Sequence, residues 1–95
     1  MKTLPNNLTF KKRTPEFSDE NVPHGMLGEH RTASGIWGKI KVSEGRLIYR
    51  ILEPSIEEHQ LDASLDGIVE PQTAHQVEIK EPVKFHVEFY RDSTA

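Results

Sequence analysis

The chain has 95 residues, 35% of them hydrophobic, and no cysteine. A polypeptide of this size buries somewhat more than about 60% of its unfolded surface, which supports one modest core and excludes a two-domain enzyme, an α/β barrel or a full dinucleotide-binding fold. Zero cysteine removes disulfides, thiolate metal sites and cysteine nucleophiles together, and a formal net charge of −3 runs against a nucleic-acid partner. Apolar runs stay far below the roughly 20 residues that cross a bilayer, and Met1 to Asn7 lacks the apolar stretch of a signal peptide. No membrane association and a cytoplasmic location are therefore expected. Charge is uneven: residues 1 to 50 carry nine Lys or Arg against five acids, and residues 51 to 95 carry three against ten. Solvated faces account for this most simply; a sharper reading has the acidic half supplying carboxylates to a cation site.

In chain order, residues 1–24 are rich in Pro, Asn, Asp and Glu and read as partly irregular, with Thr9 to Thr14 as a short edge strand guarded by Lys11, Lys12 and Arg13. From Gly35 the pattern turns to period two, the mark of strands with one buried face. Ile36, Gly38, Ile40 and Val42 alternate with Trp37, Lys39, Lys41 and Ser43. Leu47, Tyr49 and Ile51 then share one face, and Ser43-Glu44-Gly45 between the two segments reads as a tight turn. The spacing predicts a β-hairpin over 36–52. Further short strands are expected at Gln60 to Asp62, Gly67 to Glu70 and Ala74 to Ile79. Val83 to Tyr90 is the clearest strand, with Val83, Phe85, Val87 and Phe89 on one face and Lys84, His86, Glu88 and Tyr90 on the other. Ser55 to Glu58 resembles a helix N-cap but is too short to count. Many short strands punctuated by Gly and Pro indicate an all-β antiparallel sandwich or small barrel, built as a single domain over 1–95.

Five histidines are a mild excess. His30 precedes the expected hairpin, His75 begins a strand, and His86 shares a strand face with Glu88; His24 and His59 are assigned to loops. Imidazole and carboxylate groups converging inside a barrel suit a divalent first-row metal, although no His-Glu-x-x-His signature is present. Ser34, Ser43, Ser55 and Ser64 lie outside any Gly-x-Ser-x-Gly motif, and no Gly-rich loop cradles phosphate, so no nucleotide cofactor is expected. Trp37 is assigned to core or rim packing.

The succession His30-Arg31-Thr32, then Gly35 through Leu47, then Val69-Glu70-Pro71-Gln72-Thr73-Ala74-His75-Gln76-Val77, then Phe85 through Tyr90 resembles one family over essentially the whole chain. It is similar to the small tellurite-resistance-associated cupin-like domain, found at the N-terminus of tellurite-resistance B-like proteins and in stand-alone relatives. The resemblance implies a cupin-like double-stranded β-helix, a jelly-roll sandwich or barrel. In cupins two motifs hold a metal inside the barrel; His30 resembles a histidine of the first, Gly45 its closing glycine, and His75 the histidine of the second. The sequence departs from that pattern: His-x-His is missing, the first motif's glutamate falls near Gly38, and Glu70 stands where the second motif often has proline. The implied metal ligands are therefore His30 and His75, with Glu70, Glu88 or His86 replacing the missing groups.

These readings lead to an expected function: a cytoplasmic cupin-like protein binding a divalent metal (Zn, Ni, Fe or Mn), or a small ligand through it, in a stress response that includes tellurite. Two alternatives stand beside it, a metal-dependent oxygenase or isomerase with Glu70 or Glu88 as base, and a metal-free module that dimerises. As partners the residues suggest a small molecule or anion and a second copy of the chain, with neither nucleic acid nor membrane. Methyl transfer by the domain to which longer family members are fused is not expected of a chain without length or motif for it.

Overall fold

The structure, a computed structural model, describes residues 1–92. It is all-β apart from a short 3-10 turn at His24–Leu27. The strands are β1 (Leu8–Arg13), β2 (Phe17–Ser18), β3 (Ile36–Gly45), β4 (Leu47–Ile51), β5 (Glu57–Leu61), β6 (Gly67–Val69), β7 (His75–Glu78) and β8 (Val83–Asp92). Two antiparallel sheets form: one in the order β1-β8-β3-β6, with β2 also on β8, and one in the order β5-β4-β7.

The long strands β3 and β8 organise the first sheet. Their alternating patterns lock into a register that sets Ile40 opposite Val87 and Val42 opposite Phe85, so all four apolar side chains face the same way. A one-residue slip would turn that whole set to solvent, which is why such a register is strongly specified. β4 does the same for the second sheet, with Leu47, Tyr49 and Ile51 buried. Leu61 on β5 and Val77 on β7 flank it, opposite Leu47 and Tyr49 respectively. These residues, with Val69 and Val83, form one hydrophobic cluster between the sheets, and Tyr49, Phe85, Leu47 and Leu61 are its largest fully buried side chains. Each contributes on the order of 1.5–3 kcal/mol by leaving water.

The expected hairpin over 36–52 does not form. β3 pairs with β6 and β8, and β4 pairs with β5 and β7. Gly45 closes β3 at φ 73°, and the chain passes to the other sheet with Arg46 alone between the strands. This turn satisfies both apolar faces at once, because β3 and β4 bury them against each other across the core instead of side by side. The crowding at Gly45 is severe: a Cβ there would lie 2.1 Å from the Pro82 carbonyl oxygen.

Three further differences have local causes. β5 begins at Glu57, earlier than expected, and puts His59 on a strand opposite Tyr49 and not in a loop; Glu57, Glu58 and Gln60 are exposed, so this edge strand carries little apolar alternation. β2, only two residues long, has no counterpart among the expected strands; it is fixed by pairing Phe17 with Phe85, their ring centroids 5.8 Å apart. Finally, among the described residues the two sheets stay open and do not close into a barrel. The interior is therefore a space between two sheets, and whatever site it holds must open at a sheet margin. No helix among the described residues is long and apolar enough to cross a membrane.

Candidate functional site

His30 lies in the segment leading to β3, and His75 is the first residue of β7. Their backbones form a reciprocal bridge: the His30 N–H donates to the His75 carbonyl at 2.8 Å, and the His75 N–H donates to the His30 carbonyl at 2.9 Å. That narrow antiparallel pair sets the two imidazoles beside each other, ring centroids 6.1 Å apart and planes tilted by 36°. Both rings line a cavity of about 150 Å³. Its walls come from both sheets, with Ile40, Val69, Phe85 and Val87 on one side and Val77 on the other; Met26 and Phe89 complete the apolar lining. Arg31 and Thr32 supply the remaining polar atoms.

The two histidines differ in what surrounds their nitrogens. Nδ1 of His75 is 2.9 Å from the Thr73 carbonyl oxygen. A carbonyl only accepts, so this contact assigns the proton to Nδ1 and leaves Nε2 with the lone pair. Burial pushes the His75 imidazole below its ordinary value of 6.5; the Thr73 carbonyl opposes that shift, and His30 reinforces it. The ring is thus held neutral near pH 7. Nε2 of His30 is buried without a hydrogen-bond partner, a condition that costs roughly 1–3 kcal/mol for a polar atom. Tyr49 meets His75 edge-on at 6.0 Å and donates its hydroxyl to the Ile68 carbonyl at 2.9 Å. Burial is the main cause that raises the Tyr49 phenol above its usual range, so it serves as a fixed donor.

Arg31 ties the rim together. It forms an ion pair with Glu53, whose second oxygen accepts from the other guanidinium nitrogen at 3.2 Å, and it donates to the Gln72 carbonyl at 2.9 Å. Glu53 also accepts from the Ala74 amide at 2.9 Å. That amide, and after it Arg31, holds the Glu53 carboxyl below the usual carboxylate range. Gln72 sits at φ 58°, and its amide donates to the Thr32 carbonyl at 3.1 Å. The segment before β3 and the loop before β7 are therefore cross-linked on both sides of the histidine pair.

Of the four expected metal ligands, the fold brings His30 and His75 together and leaves the two glutamates elsewhere. Neither glutamate lines the cavity. Glu70 pairs with Lys2 at 3.3 Å. Glu88 lies on the face of β8 opposite Phe85 and Val87, where its carboxylate meets His86 Nε2 at 3.0 Å and accepts the Tyr90 hydroxyl at 2.7 Å. Burial works to raise the Glu88 carboxyl, but His86 and Tyr90 outweigh it and hold the group below its usual range; the Tyr90 phenol, mainly through that same hydrogen bond, is pushed up to about 12. Among the described residues no group of three or more His, Cys, Asp or Glu side chains is arranged to hold a metal ion. Arg31, Thr32 and Met26 join the site without having been assigned a role in it; Arg31 and Thr32 stand in the His30-Arg31-Thr32 segment that carries the resemblance, and Met26 had no signal.

Comparison with known proteins changes the functional expectation. The family model of the TehB-like domain matches residues 12–87. A relative from Haemophilus influenzae, named as a probable S-adenosyl-L-methionine-dependent methyltransferase TehB, is 35% identical over 79 residues, covering 79% of this chain and 28% of that protein. The crystal structure of TehB from Haemophilus influenzae superposes with a TM-score of 0.82 at 30% identity, covering 92% of this chain and 32% of that one. A structure of an Escherichia coli K12 protein matches with a TM-score of 0.83 at 18% identity over 95% of this chain and 96% of its own, which shows the shared fold. The chain thus spans about a third or less of the methyltransferase it resembles. The expected cupin-like, metal-centred function is overturned, since the relative is named for methyl transfer and no three-ligand set assembles among the described residues; the metal-dependent enzyme set beside it gives way to the same finding. With its family model spanning most of the sequence, the chain belongs to the TehB-like domain family.

Proposed function

We propose that this chain is the β-sandwich accessory domain of a cytoplasmic, S-adenosylmethionine-dependent methyl-transfer system linked to tellurite resistance. The observation that carries the reading is the 35% identity confined to 28% of a methyltransferase. Size supports it as well. The cavity of about 150 Å³ is well below the roughly 300–1,000 Å³ that drug-sized ligands occupy, and S-adenosylmethionine is of that size. In this reading the histidine-lined cavity does not hold the methyl donor, which another domain binds, and this domain works beside it. In the same reading the sandwich is a reduced jelly roll folded as one domain. What supports that finer assignment is the path of the chain, which from β3 onward visits the first sheet, the second for β4 and β5, the first for β6, the second for β7 and the first for β8.

Two measurements test the proposal. Titration of S-adenosylmethionine into this chain is expected to give no saturable binding. Sedimentation of the chain with the Haemophilus influenzae relative, after deletion of its matching segment, is expected to show a one-to-one complex. Micromolar binding of the methyl donor by this chain alone, or the absence of any complex, would count against the reading.

A further inference from the structure

We infer that the cavity beside His30 and His75 is a metal-free site for a small, uncharged, hydroxyl-bearing aromatic molecule of the phenol class. Three observations converge on that chemistry. The first is volume: about 150 Å³ is the size of an apolar cavity that accepts benzene. Seven of its lining residues are apolar, among them Phe85 and Phe89, so a ring gains contact on most sides.

The second is the pair of imidazole rings in a mostly apolar lining, whose other polar side chains, Arg31 and Thr32, are already hydrogen-bonded within the chain. The Thr73 carbonyl fixes the His75 proton on Nδ1, which makes Nε2 an acceptor. Nε2 of His30 is buried and unpartnered, and no hydrogen bond among the described residues commits its ring to either tautomer. A hydroxyl is the simplest group that serves both, since it donates one proton and accepts another. Donation from the ligand to His75 and acceptance from a His30 N–H completes both rings without a net charge. A carbonyl can only accept, and an alkyl group does neither.

The third is charge. Arg31 is the one cationic side chain in the lining among the described residues, and Glu53 and the Gln72 carbonyl already engage it. No carboxylate among the described residues lines the cavity. An anion would enter without a free cation and a cation without an anion, and either would be buried unpaired at a prohibitive cost. A neutral ligand meets no such penalty.

The inference concerns binding by this chain alone and does not depend on the accessory-domain reading. The test is an NMR titration of the full chain with phenol, toluene and benzoate, following backbone amides and the imidazole nitrogens. Phenol is expected to bind saturably at residues lining the cavity. Toluene, with the same ring and no hydroxyl, is expected to bind at least about tenfold more weakly, or about 1.4 kcal/mol, and benzoate more weakly still. Proton donation to His75 is expected to shift its Nε2 resonance with phenol and not with toluene. In His30→Phe, which keeps a ring and removes the nitrogen, phenol should bind several-fold more weakly than in wild type, and toluene should not lose affinity, because the donation to His75 remains and only the His30 contact is gone. Equal affinity for phenol and toluene, preference for benzoate, or no phenol binding at all would overturn the inference. The wild-type comparison holds whether or not the variant folds.

Discussion

Replacing Gly45 by alanine tests the corner on which the sandwich turns. Gly45 ends β3 at φ 73°, and there the chain leaves one sheet for the other. An added Cβ would lie 2.1 Å from the Pro82 carbonyl oxygen and 3.1 Å from both the Pro82 carbonyl carbon and the Val83 Cα. These are backbone atoms, so no rotamer change relieves the clash. Val83 is also pinned: it sits opposite Gly45 in the β3–β8 register, its amide donates to Asp19 Oδ1 at 3.1 Å, and its carbonyl accepts from the Asp19 amide at 3.3 Å. The left-handed backbone costs an L-residue about 1–2 kcal/mol, and forcing the strand apart adds about 1–3 kcal/mol by analogy with overpacking in cores. A loss of about 2–5 kcal/mol is expected. For a domain of this size that lowers Tm by roughly 10–40 °C. Gly25→Ala is the control, because a methyl group added there would meet nothing within 4 Å; it should stay within about 0.5 kcal/mol of wild type. Thermal and urea unfolding followed by circular dichroism measure both. Gly45→Ala within about 1 kcal/mol of wild type would mean that the corner tolerates a side chain and that its crowding does not fix the crossing between sheets.

Other expected outcomes follow from the core and the histidine pair. Tyr49→Phe removes the hydroxyl that donates to Ile68 and should cost about 1–2 kcal/mol in urea unfolding, a lost hydrogen bond plus an unsatisfied carbonyl; an unchanged midpoint would mean that this bond adds nothing. Leu61→Ala empties a fully buried site and should cost about 2–5 kcal/mol, checked in the same assay. Because the folded-state pKa of His75 lies below 6.5, the unfolded chain binds its proton first. Its contribution is fully present above pH 6.5 and is lost as pH falls through the lower folded-state value. Glu53, also held low, acts in the same direction in a more acidic window. Stability should therefore decline on acidification from neutral pH, and His75→Gln should flatten the first part of that decline; a parallel pH profile for the variant would contradict the assignment.

Strands with alternating burial are legible directly from the residues. β4 and β8 each carry three or more apolar side chains two apart, β3 carries Ile36, Ile40 and Val42 on one face with Gly38 between, and the faces that alternation marks as inward are the ones the fold buries. Pairing is harder to read. The turn at Gly45 looks like a hairpin in sequence because a glycine in the left-handed region serves a hairpin and a sheet-crossing corner equally well; only the packing of β3 against β4 across the core distinguishes them. β5 is hidden by its exposed acids and β2 by its brevity. At the site, His30 and His75 stand out in sequence, and the backbone bridge between them explains why they converge. Glu70 and Glu88 carry the right chemistry for ligands, but the alternation of β8 sends Glu88 away from Phe85 and Val87, and Glu70 turns to Lys2. The roles of Arg31 and Glu53 depend on residues 22 positions apart meeting at the rim, which local patterning does not reveal.

If this fold serves methyl transfer without performing it, the enzyme that carries the matching segment should depend on that segment. The most direct measurement replaces the matching segment of the Haemophilus influenzae relative with this chain and compares kcat/KM for S-adenosyl-L-methionine-dependent methyl transfer among the whole protein, the segment-deleted protein and the chimera. Deletion is expected to cost roughly tenfold or more, and the chimera to recover most of that loss, on the scale where a tenfold change is about 1.4 kcal/mol of transition-state stabilisation. A chimera no more active than the deletion, or a deletion as active as the whole protein, would contradict the accessory role.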